Sequence, residues 1–190
     1  MFTVRTALAA FTLCAAGGAL AGALQLAPAD PQPSGLNPGL SVAYAYPPDV
    51  KSLSQAERAL QTGAEPGTPL AGMDYWDTEE GEVTLTAKRA FHVAARIEGF
   101  VKFDAPGVYD VDFLSNDGLE VEIGGQTVLT HDGRHACEPT ETVQLAVPAP
   151  GWYPLRATYF QRLGTACLHM RAAPAGSEPQ WMDNSAFAYR

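Results

Sequence analysis

The stretch Gly107-Val108-Tyr109-Asp110-Val111-Asp112-Phe113-Leu114-Ser115-Asn116-Asp117-Gly118-Leu119-Glu120-Val121-Glu122-Ile123-Gly124-Gly125 alternates apolar and acidic residues on either side of a polar break. Period-two alternation places Tyr109, Val111 and Phe113 on one face of a strand, and Leu119, Val121 and Ile123 on one face of the next. Asn116-Asp117-Gly118 between them is turn chemistry, because Asn and Asp can bond their own backbone and Gly accepts positive φ. The pattern predicts a β-hairpin whose tip carries an amide beside a carboxylate. A tight hairpin would also gather Asp110, Asp112, Glu120 and Glu122 on one outer face. Like charges across a ladder repel, so Arg156 or Lys102 on a neighbouring strand, solvent or a bound cation would have to relieve them.

The same alternation extends in both directions. Gly39 to Tyr46 reads as a strand stopped by Pro47-Pro48, and Val83 and Leu85 alternate with polar neighbours. Phe91 to Ile97 and Gly99 to Phe103 read as two further strands. Downstream, Val143, Leu145 and Val147 share a face, as do Tyr153, Leu155, Ala157 and Tyr159, and then Ala166, Leu168 and Met170. Ser54-Gln55-Ala56-Glu57 has the capping-box pattern and Gly63 supplies a stop, predicting one short helix over 55–62. Many short strands with a single helix predict an all-β sandwich or barrel. Gly (18) and Pro (15) are plentiful and charged residues make up only 17%, which suits strands joined by turns.

Upstream the character changes. Arg5 precedes an uncharged run from Thr6 to Ala29 with Ala-x-Ala patterns ending at Ala21, Ala23 and Ala29, the form of an export signal. A run of this length also suffices to span a bilayer if it is retained. The expected organisation is a signal peptide or N-terminal anchor at 1–29, a Pro-rich, exposed spacer at 30–38, and one domain at 39–190. Cys14 lies inside the apolar run without the small preceding residue that a lipoprotein site wants. Export into an oxidising compartment leaves Cys137 and Cys167, which pair as a disulfide or remain two buried thiols.

A formal charge of −9 argues against a nucleic-acid backbone or an anionic lipid surface as partner. His131, Asp132, His135 and Cys137 gather potential zinc ligands, yet their spacing fits no established site, and a disulfide would consume the thiol. Glu120 and Glu122 are the acids a carboxylate hydrolase would use, but neighbouring acids on an exposed strand lack the apolar pocket that raises one pKa. No nucleophile motif, P-loop or dinucleotide fingerprint is present. Trp76 and Trp181 sit in loop-like surroundings, which makes them better stacking residues than the alternating aromatics of the strands. The chain reads as a binder and not as an enzyme.

A family resemblance covers roughly residues 39–190. Gly99-Phe100, Pro106-Gly107-Val108-Tyr109, Ser115-Asn116-Asp117-Gly118, Ile123-Gly124-Gly125, Gly151-Trp152-Tyr153-Pro154-Leu155-Arg156, Tyr159-Phe160 and Gly164-Thr165-Ala166-Cys167-Leu168 resemble, in order and spacing, the PA-fourteen domain. Of the two all-β forms the resemblance selects the antiparallel β-sandwich, and it implies a lectin-like domain that binds carbohydrate at the cell envelope. In lectin members two consecutive Asp joined by a cis peptide hold a calcium ion that binds sugar hydroxyls. Here Asp117 matches the second acid and Asn116 offers a carbonyl in place of the first. The resemblance thus implies Asn116 and Asp117 as metal and ligand residues, with Trp181 as a further ligand contact and calcium as cofactor. A second loop, Ala172 to Asn184, would supply more oxygens from Glu178, Asp183 and Asn184. The alternative is a membrane-anchored accessory subunit in which the sandwich docks onto an envelope protein complex without binding glycan.

Overall fold

The computed structural model describes residues 22–190, so most of the predicted leader lies outside the described residues. In chain order the strands are β1 (Leu24–Gln25), β2 (Asn37–Pro38), β3 (Ser41–Ala45), β4 (Glu65–Pro66), β5 (Asp74–Tyr75), β6 (Val93–Phe103), β7 (Gly107–Ser115) and β8 (Gly118–Ile123). After them come β9 (Gln126–His131), β10 (Glu138–Pro139), β11 (Val143–Val147), β12 (Gly151–Gln161), β13 (Leu168–Pro174), β14 (Gln180–Trp181) and β15 (Phe187–Tyr189). One helix, α1 (Leu53–Gly63), separates β3 from β4.

Two sheets stack into a sandwich, the one of the two all-β forms that the resemblance implies. The first runs β1-β11-β7-β13-β14, with β10 also on β7 and β5 also on β13. The second runs β2-β15-β6-β12-β8-β9, with β3 also on β6 and β4 on β3. All pairings are antiparallel except β1 on β11. The inward stripes come from both sheets: Val111, Phe113, Leu145, Leu168 and Met170 face Ile97, Leu119, Val121, Tyr153, Leu155 and Tyr159 in one apolar cluster. Their removal from water is the main source of stability for such a layer pair.

The predicted hairpin is not a hairpin. β7 pairs with β11 and β13 in the first sheet, whereas β8 pairs with β12 and β9 in the second. The chain crosses between sheets at Asn116-Asp117, so Phe113 and Leu119 meet across the core instead of lying side by side. Period two marks which face of each strand is apolar but is silent about which sheet the strand joins. The expected acidic face disappears with the hairpin. Asp110 and Asp112 point out of one sheet, Glu120 and Glu122 out of the other, and Glu122 sits in register with Arg156, which also pairs with Glu98 at 3.6 Å.

Three local expectations are also revised. The helix begins at Leu53, capped by Ser52, whose side chain accepts from the Gln55 N–H, while Gln55 Oε1 accepts from Lys51 N–H at 2.7 Å. The working pair is therefore Ser52 with Gln55, two residues earlier than the sequence reading. Phe91–Ile97 and Gly99–Phe103 merge into the single strand β6, whose Gly99 passes against the Ala188 carbonyl where a Cβ would not fit. Val83 and Leu85 form no strand: Leu85 takes φ 52°, Val83 is exposed, and Thr84 is buried with its hydroxyl on the Ala90 carbonyl. Helix α1 lies across one end of the second sheet, sealing a small cluster of Leu53, Ala56, Leu60, Ala94 and Phe160.

Candidate functional site

Two neighbouring regions at one end of the first sheet hold the residues singled out by the sequence. The first is the inter-sheet corner. Asp117 adopts φ 55°, the left-handed turn that Asp tolerates better than most residues. Both corner residues are buried. The Asn116 N–H donates to the Cys167 carbonyl at 3.3 Å and its amide donates to Thr165 Oγ1 at 3.4 Å. The Asp117 N–H donates to the His135 carbonyl, and Asp117 Oδ2 accepts the Arg162 N–H at 2.6 Å. Burial pushes the Asp117 carboxyl above its ordinary value, against the pull of the Arg162 N–H and the charges of Arg134 and Arg162.

Cys137 and Cys167 are joined by a disulfide, with Cα atoms 6.0 Å apart. It ties the 131–139 segment to the start of β13, the two segments whose carbonyls hold the corner. The predicted zinc residues are used otherwise. Asp132 Oδ1 accepts the N–H groups of Leu53 and Gly133, the His131 and His135 rings stack 3.6 Å apart, and the Cys137 sulfur is in the disulfide. Asp77 approaches both cysteine sulfurs, but bonded sulfurs are not thiolate ligands.

Among the described residues the only cis peptide is Asp30-Pro31, so the Asn116-Asp117 peptide is trans. With the peptide trans, Asp117 Oδ2 on the Arg162 N–H and two arginines nearby, the corner departs from the cis Asp-Asp arrangement that the resemblance implies, and it offers Asp117 Oδ1 and the Asn116 side-chain carbonyl as its remaining oxygens. In the expected second loop Asp183 caps a 3-10 turn through the Ser185 N–H, the Glu178 backbone carbonyl accepts from the Gln180 amide, and the buried Asn184 Oδ1 has no hydrogen-bond partner.

The second region is aromatic and open. β13 turns Leu168 and Met170 inward and His169 and Arg171 outward. β14 sets Trp181 in register with Arg171, and β5 sets Asp74 in register with His169, just ahead of Trp76. Trp76, Trp181 and His169 meet edge to face, with ring centroids 4.7–4.9 Å apart. Trp76 is 60% exposed and Trp181 42%, while His169 beneath them is 1% exposed. Exposed tryptophans above a buried histidine form a platform facing solvent, which solvation alone does not explain.

The platform is braced from below. The Arg171 guanidinium forks the buried Asp112 carboxylate at 2.6 and 2.8 Å and lies 5.2 Å over the Trp181 ring. Trp76 is fixed through Thr78, whose N–H reaches the Ala166 carbonyl and whose hydroxyl accepts the Ala166 N–H. His169 Nδ1 stands 3.3 Å from Asp74 Oδ1 without hydrogen-bond geometry and has no other partner. Burial pushes this imidazole below its ordinary value, outweighing the pull of Asp74.

On the opposite sheet, Arg96, Glu98, Glu120, Glu122, Arg156 and Thr158 line an open depression of about 230 Å³. Arginines alternate with the glutamates there, so neither Glu120 nor Glu122 lies in the apolar pocket a general acid needs. Of the residues that matter most, the sequence reading missed His169 and Arg171. Their signal was the pair of polar residues alternating with Leu168, Met170 and Ala172 along one strand.

The profile of the PA14 domain matches residues 36–180. The chain belongs to the PA14 domain family. Among solved structures, the PA14 domain of the MpAFP antifreeze protein superposes with TM-score 0.68 at 15% identity, covering 86% of this chain and 96% of that one. A PA14 sugar-binding domain from an RTX adhesin gives TM-score 0.62 at 13% identity, over 80% of this chain and 99% of that one. The A domain of epithelial adhesin 9 from Candida glabrata, in complex with Galβ1-3GlcNAc, gives TM-score 0.64 at 12% identity, over 87% and 95%. No curated protein sequence matches the chain. At these identities the likeness to solved structures carries the PA14 fold, and the ligand has to be argued from this chain's own surface. Among the described residues no helix is long and apolar enough to cross a membrane.

Proposed function

We propose that this PA14 domain is a non-catalytic carbohydrate-binding module of an exported or surface-exposed protein, and that the glycan docks on the Trp76–Trp181 platform. The observation that carries the reading is the pair of exposed indoles held 4.9 Å apart, Trp181 on β14 over Arg171 and Trp76 just after β5. A pyranose presents an apolar C–H face that stacks on an indole, while its hydroxyls stay in water or reach polar groups at the rim. Such contacts need rigid aromatics at low entropic cost. The sugar-binding adhesin domains that share the fold support the same class of ligand. A neutral glycan also suits a protein of net charge −9.

The test is a glycan-array screen of the secreted domain followed by calorimetry on the best ligand. Trp181→Ala is expected to weaken binding at least tenfold with a melting temperature close to the parent's, because the ring is partly exposed. Added calcium is expected to leave affinity unchanged in the parent and in Asp117→Ala. A calcium-dependent gain in the parent that vanishes in Asp117→Ala would restore the metal site at the corner. Flat isotherms across neutral glycans would overturn the carbohydrate reading and turn the platform into a protein-docking surface.

A further inference from the structure

The sequence offers Ala-x-Ala patterns ending at Ala21, Ala23 and Ala29, three places where an export peptidase could cut. The structure separates them. Leu24 and Gln25 form β1, laid parallel along β11 in register with Leu145 and Ala146. Leu26 is buried at 4% exposure within the main core, and its N–H donates to the Ala146 carbonyl at 3.0 Å. The next residues stay attached: the Ala27 N–H reaches the Gly124 carbonyl at 3.0 Å and the Ala29 N–H reaches the Trp152 carbonyl at 2.9 Å. Gln32 closes the run, donating to Ala29 and Trp152 carbonyls and accepting the Trp152 N–H at 2.8 Å.

Two turns elsewhere in the chain are shaped for this segment. A Cβ on Gly124 would come within 2.9 Å of Ala27 backbone atoms, and one on Gly151 within 2.7 Å of the Gln32 side chain. Glycine at both positions is what lets residues 27–32 lie flat on the sandwich. The run 27–32, which leads into the expected spacer, is therefore largely exposed in its side chains but tied down through the Ala27 and Ala29 N–H groups and the Gln32 amide, and Leu26 just before it is core.

We infer that export processing cuts after Ala21 or Ala23, so that the mature chain starts at Gly22 or Leu24 with β1 as its first element. A cut after Ala29 would remove the edge strand and Leu26, leaving the Gly124 and Ala146 carbonyls without these donors and a core position open. The inference rests on the export reading of the leader and carries a mechanical consequence. No free linker stands between the processing point and the sandwich, so an uncut leader would hold the domain directly against its membrane.

The full chain, 1–190, is expressed in a secreting bacterial host and the exported product is weighed by intact mass spectrometry. A start at Gly22 or Leu24 is expected. A start at Asp30 overturns the inference while leaving export intact, and an exported chain that is uncut overturns it in favour of a retained anchor. Two variants keep these outcomes apart. Ala21→Leu combined with Ala23→Leu is expected to accumulate as uncut precursor, whereas Ala29→Leu is processed at the parental position; a processing block in Ala29→Leu would sink the inference. Leu26→Ala in the full chain is expected to lower the melting temperature of the product by roughly 5–10 °C. No shift would mean that the segment is not part of the working core.

Discussion

The inter-sheet corner and the tryptophan platform lie at the same end of one sheet and invert each other's chemistry. At the corner, polar side chains that usually face water are buried: Ser115, Asn116 and Asp117 are all under 9% exposed. At the platform, the side chains most costly to leave in water, Trp76 and Trp181, face outward. The corner is closed by hydrogen bonds and a disulfide, which accounts for its polar residues without a ligand. The platform has no comparable closure on its solvent side. A buried polar group with partners is explained by the fold, whereas a braced, exposed aromatic pair calls for something outside it.

The comparison breaks most strongly at the disulfide. Cys137 and Cys167 close a loop of 30 residues, which the chain-entropy account values at about 3–4 kcal/mol. Cys137→Ser with Cys167→Ser is expected to lower the melting temperature by roughly 10 °C and to raise hydrogen exchange at the Asn116 and Asp117 amides. Glycan affinity measured well below that temperature is expected to change little, because Trp181 and Arg171 are held by β13 and β14. Loss of both properties together would show the two regions to be one unit.

Arg171→Lys sharpens the comparison from the other side. Lysine cannot fork the Asp112 carboxylate or lie flat over Trp181, so a buried acid loses half its hydrogen bonding and the indole loses its brace. A cost of about 1–2 kcal/mol is expected, or roughly 3–6 °C by calorimetry. Glycan affinity should also fall, while exchange at the corner amides stays at the parental rate. An unchanged affinity would separate the brace from the binding surface.

How much of this was legible follows from what period two can carry. The inward stripes of β7, β8, β11 and β12 are written residue by residue, and they suffice for an all-β sandwich or barrel. The partner of each strand is not, because Tyr109-Val111-Phe113 and Leu119-Val121-Ile123 look alike whether they pair with each other or face each other. From that ambiguity came the false acidic face. Asp117 was legible as a turn, and an Asx corner and half a metal motif share the same letters, so the sequence alone does not separate the two. His169 hid inside a strand whose alternate positions, Leu168 and Met170, are apolar, and its link to Asp74, 95 residues upstream, exists only once β5 has paired with β13.

The smallest effect separates the regions by the sign of a pH response. Asp117 in the corner is buried with its carboxyl pushed up, so above the ordinary value near 3.8 the folded state holds its proton more tightly than the unfolded state. Its contribution therefore declines as pH rises from about 4 through the raised value. His169 under the platform has its imidazole pushed down, with Asp74, Asp77 and Arg171 as the charged groups acting on it. Below the ordinary value near 6.5 the unfolded chain takes up that proton first, so the stability due to neutral His169 is present above 6.5 and is lost as pH falls toward the depressed value. In the range between these two ordinary values, Asp117 acts upward from near 3.8 and His169 downward from near 6.5, with opposite signs. Melting temperatures over this range are expected to depend less steeply on pH in His169→Gln than in the parent, and more steeply in Asp117→Asn. Tryptophan fluorescence should follow only the first group, because protonation at His169 occurs against both indoles, 4.7 and 4.8 Å from their centroids. A fluorescence titration that survives in His169→Gln would assign the pH response to another group.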